Sequence, residues 1–229
     1  MPTSTVTITG FAQLIARTWP HAYRDDTLPS INGVRVESDG RRLYAVASDR
    51  FTIAIARHDL DADSATEPWN AFLTASDLRA VKAITPPRHH AKLTTLTWNP
   101  GRHVLAVTVG EHTLTLPDRT EQDAKFPKWR PIARDALAAT PAMTDDLAVS
   151  AHHLAKFTKD PAVRDHTPLT VWGDDPHKPI VIAQGTDFLG LLMPIRRNPD
   201  GDWFSGHQAI RAAWTDTLAD ATTAASLAA

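Results

Sequence analysis

The stretch "TITGFAQLIARTW", Thr7 to Trp19, holds a short β-prone run, a glycine and an amphipathic segment in immediate succession. Phe11, Leu14, Ile15 and Thr18 fall at i, i+3, i+4 and i+7, which is one face of a helix, and Pro20 closes it. Three β-rich segments follow: "INGVRVES" (Ile31–Ser38), "RRLYAVAS" (Arg41–Ser48) and "RFTIAIAR" (Arg50–Arg57), with Asp39–Gly40 marking the first hairpin. The spacing predicts one β-α-β-β-β unit.

The same order returns twice. "AFLTASDLRAVKAI" (Ala71–Ile84) reads as a strand and a helix carrying Leu78, Val81 and Ile84, with Ser76 as the N-cap. "KLTTLTW", "HVLAVTV" and "HTLTLPD" follow it, with a turn at Asn99–Gly101. "DLAVSAHHLAKFTK" (Asp146–Lys159) gives a third strand and a helix with Leu154 and Phe157, then "PLTVWGD", "KPIVIAQ" and "DFLGLLM". The distance from helix leucine to third extended segment is similar in each copy: Leu14 to Phe51, Leu78 to His112, Leu154 to Asp187. Recurrent spacing without sequence identity is the mark of a repeated supersecondary unit. The expected class is α+β, with helices on one face of antiparallel sheets. One helix on one sheet cannot close a core. Units one and two are therefore expected to share a domain, and the third to pack on that pair, on the C-terminal segment or on another chain.

The 229 residues carry 24 Lys and Arg against 26 Asp and Glu, a formal charge of −2, so neither bulk nucleic-acid coating nor acidic disorder is indicated. The chain has no cysteine, which removes disulfides, thiol nucleophiles and thiolate zinc sites. The opening "MPTSTVTITG" lacks a basic region followed by a long apolar run, and no stretch approaches the roughly 20 apolar residues of a membrane span. A cytoplasmic protein without membrane contact is expected. Adjacent histidines at His89–His90 and His152–His153 diverge on a helix rather than converging on a metal. Asp25–Asp26, Asp145–Asp146 and Asp174–Asp175 sit in predicted turns, where aspartate bonds its own backbone. With no nucleophile elbow and no glycine-rich phosphate loop, neither an enzyme nor a cofactor is expected.

The apolar strand "FLGLLMPIRR" (Phe188–Arg197) ends in Met193–Pro194 and two arginines, since proline cannot donate a ladder hydrogen bond. Its "LLMPIRR" is similar to the "VVMPMRL" of the bacterial DNA polymerase III β sliding clamp. "VASDRFTIA" (Val46–Ala54) resembles that family's "VATDGHRLA", and "KFPKWRPI" (Lys125–Ile132) its "FPDYRRV" junction. The resemblance covers the family's middle domain over about residues 5–132 and the second half of its last domain over 144–197. It implies a DNA-clamp fold divided into a clamp-like domain (1–132), a half domain (133–197) and a C-terminal helix with a frayed tail (198–229).

It also implies a pocket for short apolar peptides of polymerases and other DNA-processing proteins. One wall would be Ser48, Arg50, Phe51 and Ile53, the other Leu192, Met193, Pro194 and Ile195. Arg196 and Arg197 would hold acidic flanks of the peptide. Arg50-Phe51-Thr52 stands where the family has Gly-His-Arg, so bulk and charge are added at the first wall. Helices of clamp units face duplex DNA, which places Arg17, Arg24, Arg79, Lys82, His152, Lys156 and Lys159 toward phosphates, without base reading. The resemblance leaves two roles open. One is a processivity factor, assembled as a homo-oligomeric ring of four chains by unit count. The other is a non-ring peptide-binding module acting as decoy or regulator of a replication clamp, encoded by a phage or mobile element. Beyond Asn198, Ile210, Trp214 and Leu218 predict a helix, expected to cap the surface left by the missing half-domain; "HQAIRAAW" also faintly resembles a clamp-binding peptide.

Overall fold

A computed structural model describes residues 3–61, 67–85, 92–117, 119, 125–140, 147–159, 168–196 and 208–212. The first unit comprises β1 (Ser4–Thr9), α1 (Phe11–Thr18), β2 (Gly33–Ser38), β3 (Arg42–Ser48) and β4 (Thr52–Asp59). The second comprises β5 (Trp69–Thr74), α2 (Ala75–Ile84), β6 (Leu93–Asn99), β7 (Val104–Val109) and β8 (His112–Pro117). After them come α3 (Trp129–Leu137), the short α4 (Ala151–Leu154), β9 (Thr170–Trp172), β10 (Ile180–Gln184) and β11 (Phe188–Leu192).

Each of the first two units gives its opening strand to the other. β1 pairs with β6, so one sheet runs β1-β6-β7-β8, while β5 pairs with β2 at the edge of the other. The exchange closes the core. Val6, Ile8, Leu96 and Val107 of the smaller sheet meet Phe11, Leu14, Leu78 and Val81 of the helices and Val34, Val36 and Ala45 of the larger sheet. Helix α2 begins at a capping box: Thr74 N donates to Asp77 Oδ2 at 2.9 Å, and Asp77 N donates to Thr74 Oγ1 at 3.4 Å. The cap is thus Thr74, not Ser76, because only Thr74 has both an extended backbone and a carboxylate three residues on.

The third unit extends the larger sheet to seven strands, in the order β5-β2-β3-β4-β11-β10-β9. β11 lies antiparallel to β4, with Thr52 opposite Leu192 and Ala56 opposite Phe188. Gly190 faces Phe157 so closely that a β-carbon there would overlap the aromatic ring, which explains a glycine inside this strand. Among the described residues the unit is incomplete. Residues 147–150 form no strand, and the expected helix is four residues followed by a 3₁₀ turn, Phe157–Lys159. Phe157 is in the core as expected, but Leu154 is exposed, since the helix stops before its periodicity can turn both inward.

The opposite face of the seven-stranded sheet is covered by α3, which no pattern had announced. Trp129, Ala133 and Ala136, at i, i+4 and i+7, pack with Phe126 on Val46, Ile55, Phe72, Val181 and Leu191. Pro131 fits the first turn of α3, where an N–H would lack a helical partner. Arg130 and Arg35 both pair with buried Glu37. The expected division at 132/133 falls inside α3, and the sheet is continuous from β4 to β11. Gln208–Ala212 is helical with Ile210 exposed; Trp214 and Leu218 lie outside the described residues, as do His89–His90 and Asp145–Asp146.

Candidate functional site

The turn after β3 and the segment after β11 share one edge of the sheet. One step beyond the last ladder pair, Met193 N donates to Phe51 O at 2.9 Å, and Ile195 N donates to Ala148 O at 2.8 Å. The turn is built on Asp49. Its Oδ1 accepts from Phe51 N at 3.1 Å, Thr52 N at 2.7 Å and the Thr52 hydroxyl at 2.8 Å. That geometry leaves Arg50 at φ +79°, a left-handed conformation that favours glycine.

Phe51 is 50% exposed, and its ring lies 4.8 Å from that of His153, inclined by 30°. Arg50 is exposed, while Ile53, Met193 and Ile195 are half-buried, so five of the eight expected pocket residues reach the surface here. The other three do not. Ser48 is buried and donates its hydroxyl to Thr52 O at 2.9 Å, stapling the turn. Leu192 is buried on the helix side, because strand alternation sends it opposite to Leu191. Pro194 is buried as well. Arg196 is exposed beside this edge, and Arg197 lies outside the described residues.

A buried polar network supports the turn from below. Asp49 Oδ2 pairs with the Lys156 ammonium and lies 3.3 Å from His153 Nδ1. Burial alone would push the Asp49 carboxyl up, but Lys156 and the Thr52 donors overcome it and hold the group below its ordinary range. His21 is fully buried, its Nδ1 3.1 Å from Thr52 Oγ1 and its ring 4.5 Å from that of Phe157. Thr52 gives its single hydroxyl proton to Asp49, so His21 must donate from Nδ1 and carry the neutral tautomer. Burial, reinforced by nearby Lys156, lowers the His21 pKa to about 3. His153 is lowered too, by burial first, with Asp49 opposing and Lys156 assisting.

This network corrects two expected DNA contacts. Lys156 is buried against Asp49. Arg17 is 6% exposed, with Nη1 donating to Asp187 Oδ2 at 2.7 Å and Nη2 to Gln184 Oε1 at 3.2 Å. Both cations tie the first unit to the third instead of facing solvent. His152 is exposed on α4, its ring 5.3 Å from that of His153. The remaining four, Arg24, Arg79, Lys82 and Lys159, converge on a groove of about 620 Å³ between α1 and α2. Asp49, His21 and His153 escaped sequence reading. An aspartate three residues before a β-branched strand start signals only a turn, and nothing local marks its partner 107 residues away.

No protein-family model matches the sequence. Solved structures do share its architecture. The DNA polymerase III β subunit from Thermotoga maritima superposes with a TM-score of 0.64 at 13% identity, over 85% of this chain and 66% of that one. A DNA polymerase sliding clamp from Pseudomonas aeruginosa, solved with a ligand, gives 0.65 at 14% identity, over 86% and 67%. The DNA polymerase III β subunit from the same organism gives 0.66 at 14%, over 84% and 66%. The chain therefore has the sliding-clamp fold and spans about two thirds of the length of these clamps.

Proposed function

We propose that this protein is a non-catalytic, clamp-like docking protein of DNA replication or repair. Its Arg50–Phe51–Ile53 and Met193–Ile195 edge receives short apolar peptides. The observation that carries this reading is the Met193 N–Phe51 O hydrogen bond, which sets a half-exposed phenylalanine and an adaptable methionine side by side. Burying a partner's Leu or Phe there is worth roughly 1.5–3 kcal/mol each. Two such anchors, less ordering costs, give an affinity on the order of micromolar. Exposed Arg50 and Arg196 favour peptides with acidic flanks. Arg24, Arg79, Lys82 and Lys159 form the face proposed to meet nucleic-acid phosphates, with affinity of roughly 10⁻⁴–10⁻⁶ M at physiological salt.

Titration calorimetry with a peptide carrying glutamine followed by two apolar residues tests the docking edge. Met193→Asp is expected to abolish binding with unchanged circular dichroism, because Met193's hydrogen bond to Phe51 is a backbone one. Undiminished binding by that variant would place the pocket elsewhere. Sedimentation equilibrium with and without the peptide separates a ring-forming tether from a free-standing competitor.

A further inference from the structure

The groove between α1 and α2 has a composition that duplex contact does not require. A phosphate-tracking surface needs cations on an accessible face. This recess also presents Trp19, half-buried on the helix side of the core, beside the small side chain of Ala16, while Tyr23, at its rim, packs toward the α3 side. Around them stand Arg24 from the loop after α1, Arg79 and Lys82 from α2, and Lys159 from the 3₁₀ turn of the third unit. No carboxylate is among the described lining residues, and none of the four cations forms an ion pair with another described residue. The aromatic residues are held firmly. Trp19 N bonds Ile15 O at the end of α1, Ala22 N donates to Trp19 O at 3.0 Å, and Tyr23 N is shared between Ile31 O at 3.0 Å and Ser48 O at 3.2 Å. The volume of about 620 Å³ lies within the range of small-ligand pockets.

Aromatic faces ringed by unneutralised cations suit a ligand with a flat, stackable body and a negative charge. We infer that the α1–α2 groove binds an unpaired nucleotide, with the base stacked on Trp19 and the phosphate held by Arg79, Lys82 and their cationic neighbours. In a duplex the base faces are stacked on one another, so a passing duplex would use the cations and leave the aromatic residues idle. An acidic peptide would use the charges but has no general need of a stacking platform. The inference goes beyond duplex contact on this face, and it is independent of the Phe51–Met193 edge.

Fluorescence anisotropy with labelled oligothymidylate, a duplex of equal length and free thymidine monophosphate tests it in the full chain. The single strand is expected to bind more tightly than the duplex, and competition by the mononucleotide shows whether a free nucleotide suffices or a strand is needed. Trp19→Ala is expected to weaken the single strand by about 5- to 150-fold, the range of one lost base–aromatic stack, with little change for the duplex. Trp19 also packs on the core, so Ala16→Phe provides a second variant that fills the groove while leaving every cation in place. It should erase the preference for single strands. Lys82→Glu should weaken both nucleic acids. Equal affinity for strand and duplex would overturn the inference while leaving phosphate contact intact. So would an Ala16→Phe variant that keeps the preference, or tighter binding of an acidic apolar peptide to the same groove. Failure to bind any nucleic acid would overturn both readings of this face.

Discussion

His21 makes this protein sensitive to mild acid, and the size of the effect follows from its surroundings. The imidazole is fully buried, donates to Thr52, and has its pKa lowered from 6.5 to about 3. In the unfolded chain it takes up a proton near pH 6.5; in the folded chain it does not. Stability from the neutral ring is therefore fully present above the unfolded value and is lost as pH falls toward the folded one. The loss runs at up to about 1.4 kcal/mol per pH unit, so moving from about pH 7 to pH 5 removes about 2 kcal/mol. For a chain of this size that lowers the melting temperature by about 4–8 °C. His153 adds to the fall in the same direction, whereas Asp49 contributes only as pH drops below the ordinary carboxylate range. The assay is thermal denaturation by circular dichroism across this window for the native protein and His21→Asn, whose amide nitrogen can take the Nδ1 position. The variant starts less stable but should lose much less on acidification. Parallel pH slopes in the two proteins would show that His21 is not the titrating group and would refute the burial argument.

Two further perturbations probe the same turn. Lys156→Met leaves the Asp49 carboxylate buried without its ammonium partner and should cost about 3–5 kcal/mol in urea denaturation. Adding Asp49→Asn should restore part of that loss, and a neutral single variant would mean that the pair is solvated. Arg50→Gly removes a side chain from a left-handed backbone position and should raise stability by about 1 kcal/mol, seen as a higher urea midpoint at unchanged slope. A lower midpoint would show that the arginine makes compensating contacts. The same variant should weaken peptides with acidic flanks more than neutral ones.

The repeat was legible because its signals are local. Phe11, Leu14 and Ile15 announce α1 by spacing alone, and Asp39–Gly40 announces the hairpin between β2 and β3. Partner choice is not local. Nothing in "STVTIT" says that β1 will leave its own unit and pair with β6, because any alternating strand can satisfy its backbone at any free edge. Helix α3 went unseen because its apolar positions are two alanines and a tryptophan, a weak stripe beside Pro131. Among the residues of the proposed docking edge, motif order pointed to Phe51 and Met193, which reach the surface side by side. Ser48 and Leu192 were assigned to a wall although the pleat turns them inward. The cations at 17 and 156 misled for a simpler reason. A helical Arg or Lys ordinarily faces water, and only the positions of Asp187 and Asp49 draw these two into the interior.

Those two ion pairs, each with a buried cation, help to hold the third unit in place. Among the described residues the third unit shows no opening strand and only a short helix, and such a unit cannot close a core by itself. Its β11 joins β4 through five residue pairs, and Phe157, Ile182 and Phe188 complete the central core. Packing already disfavours sliding by two residues, because it would bring Phe188 or Leu192 to the place where only Gly190 fits beside Phe157. The ion pairs add to this: Arg17 finds Asp187 at one end of β11, and Lys156 finds Asp49 beside the other. A slipped register would bury unpaired charges, each at a cost of several kcal/mol. The arrangement that fixes β11 against β4 is thus also what sets Met193 opposite Phe51, so the geometry of the proposed docking edge follows from packing and ion pairs away from it.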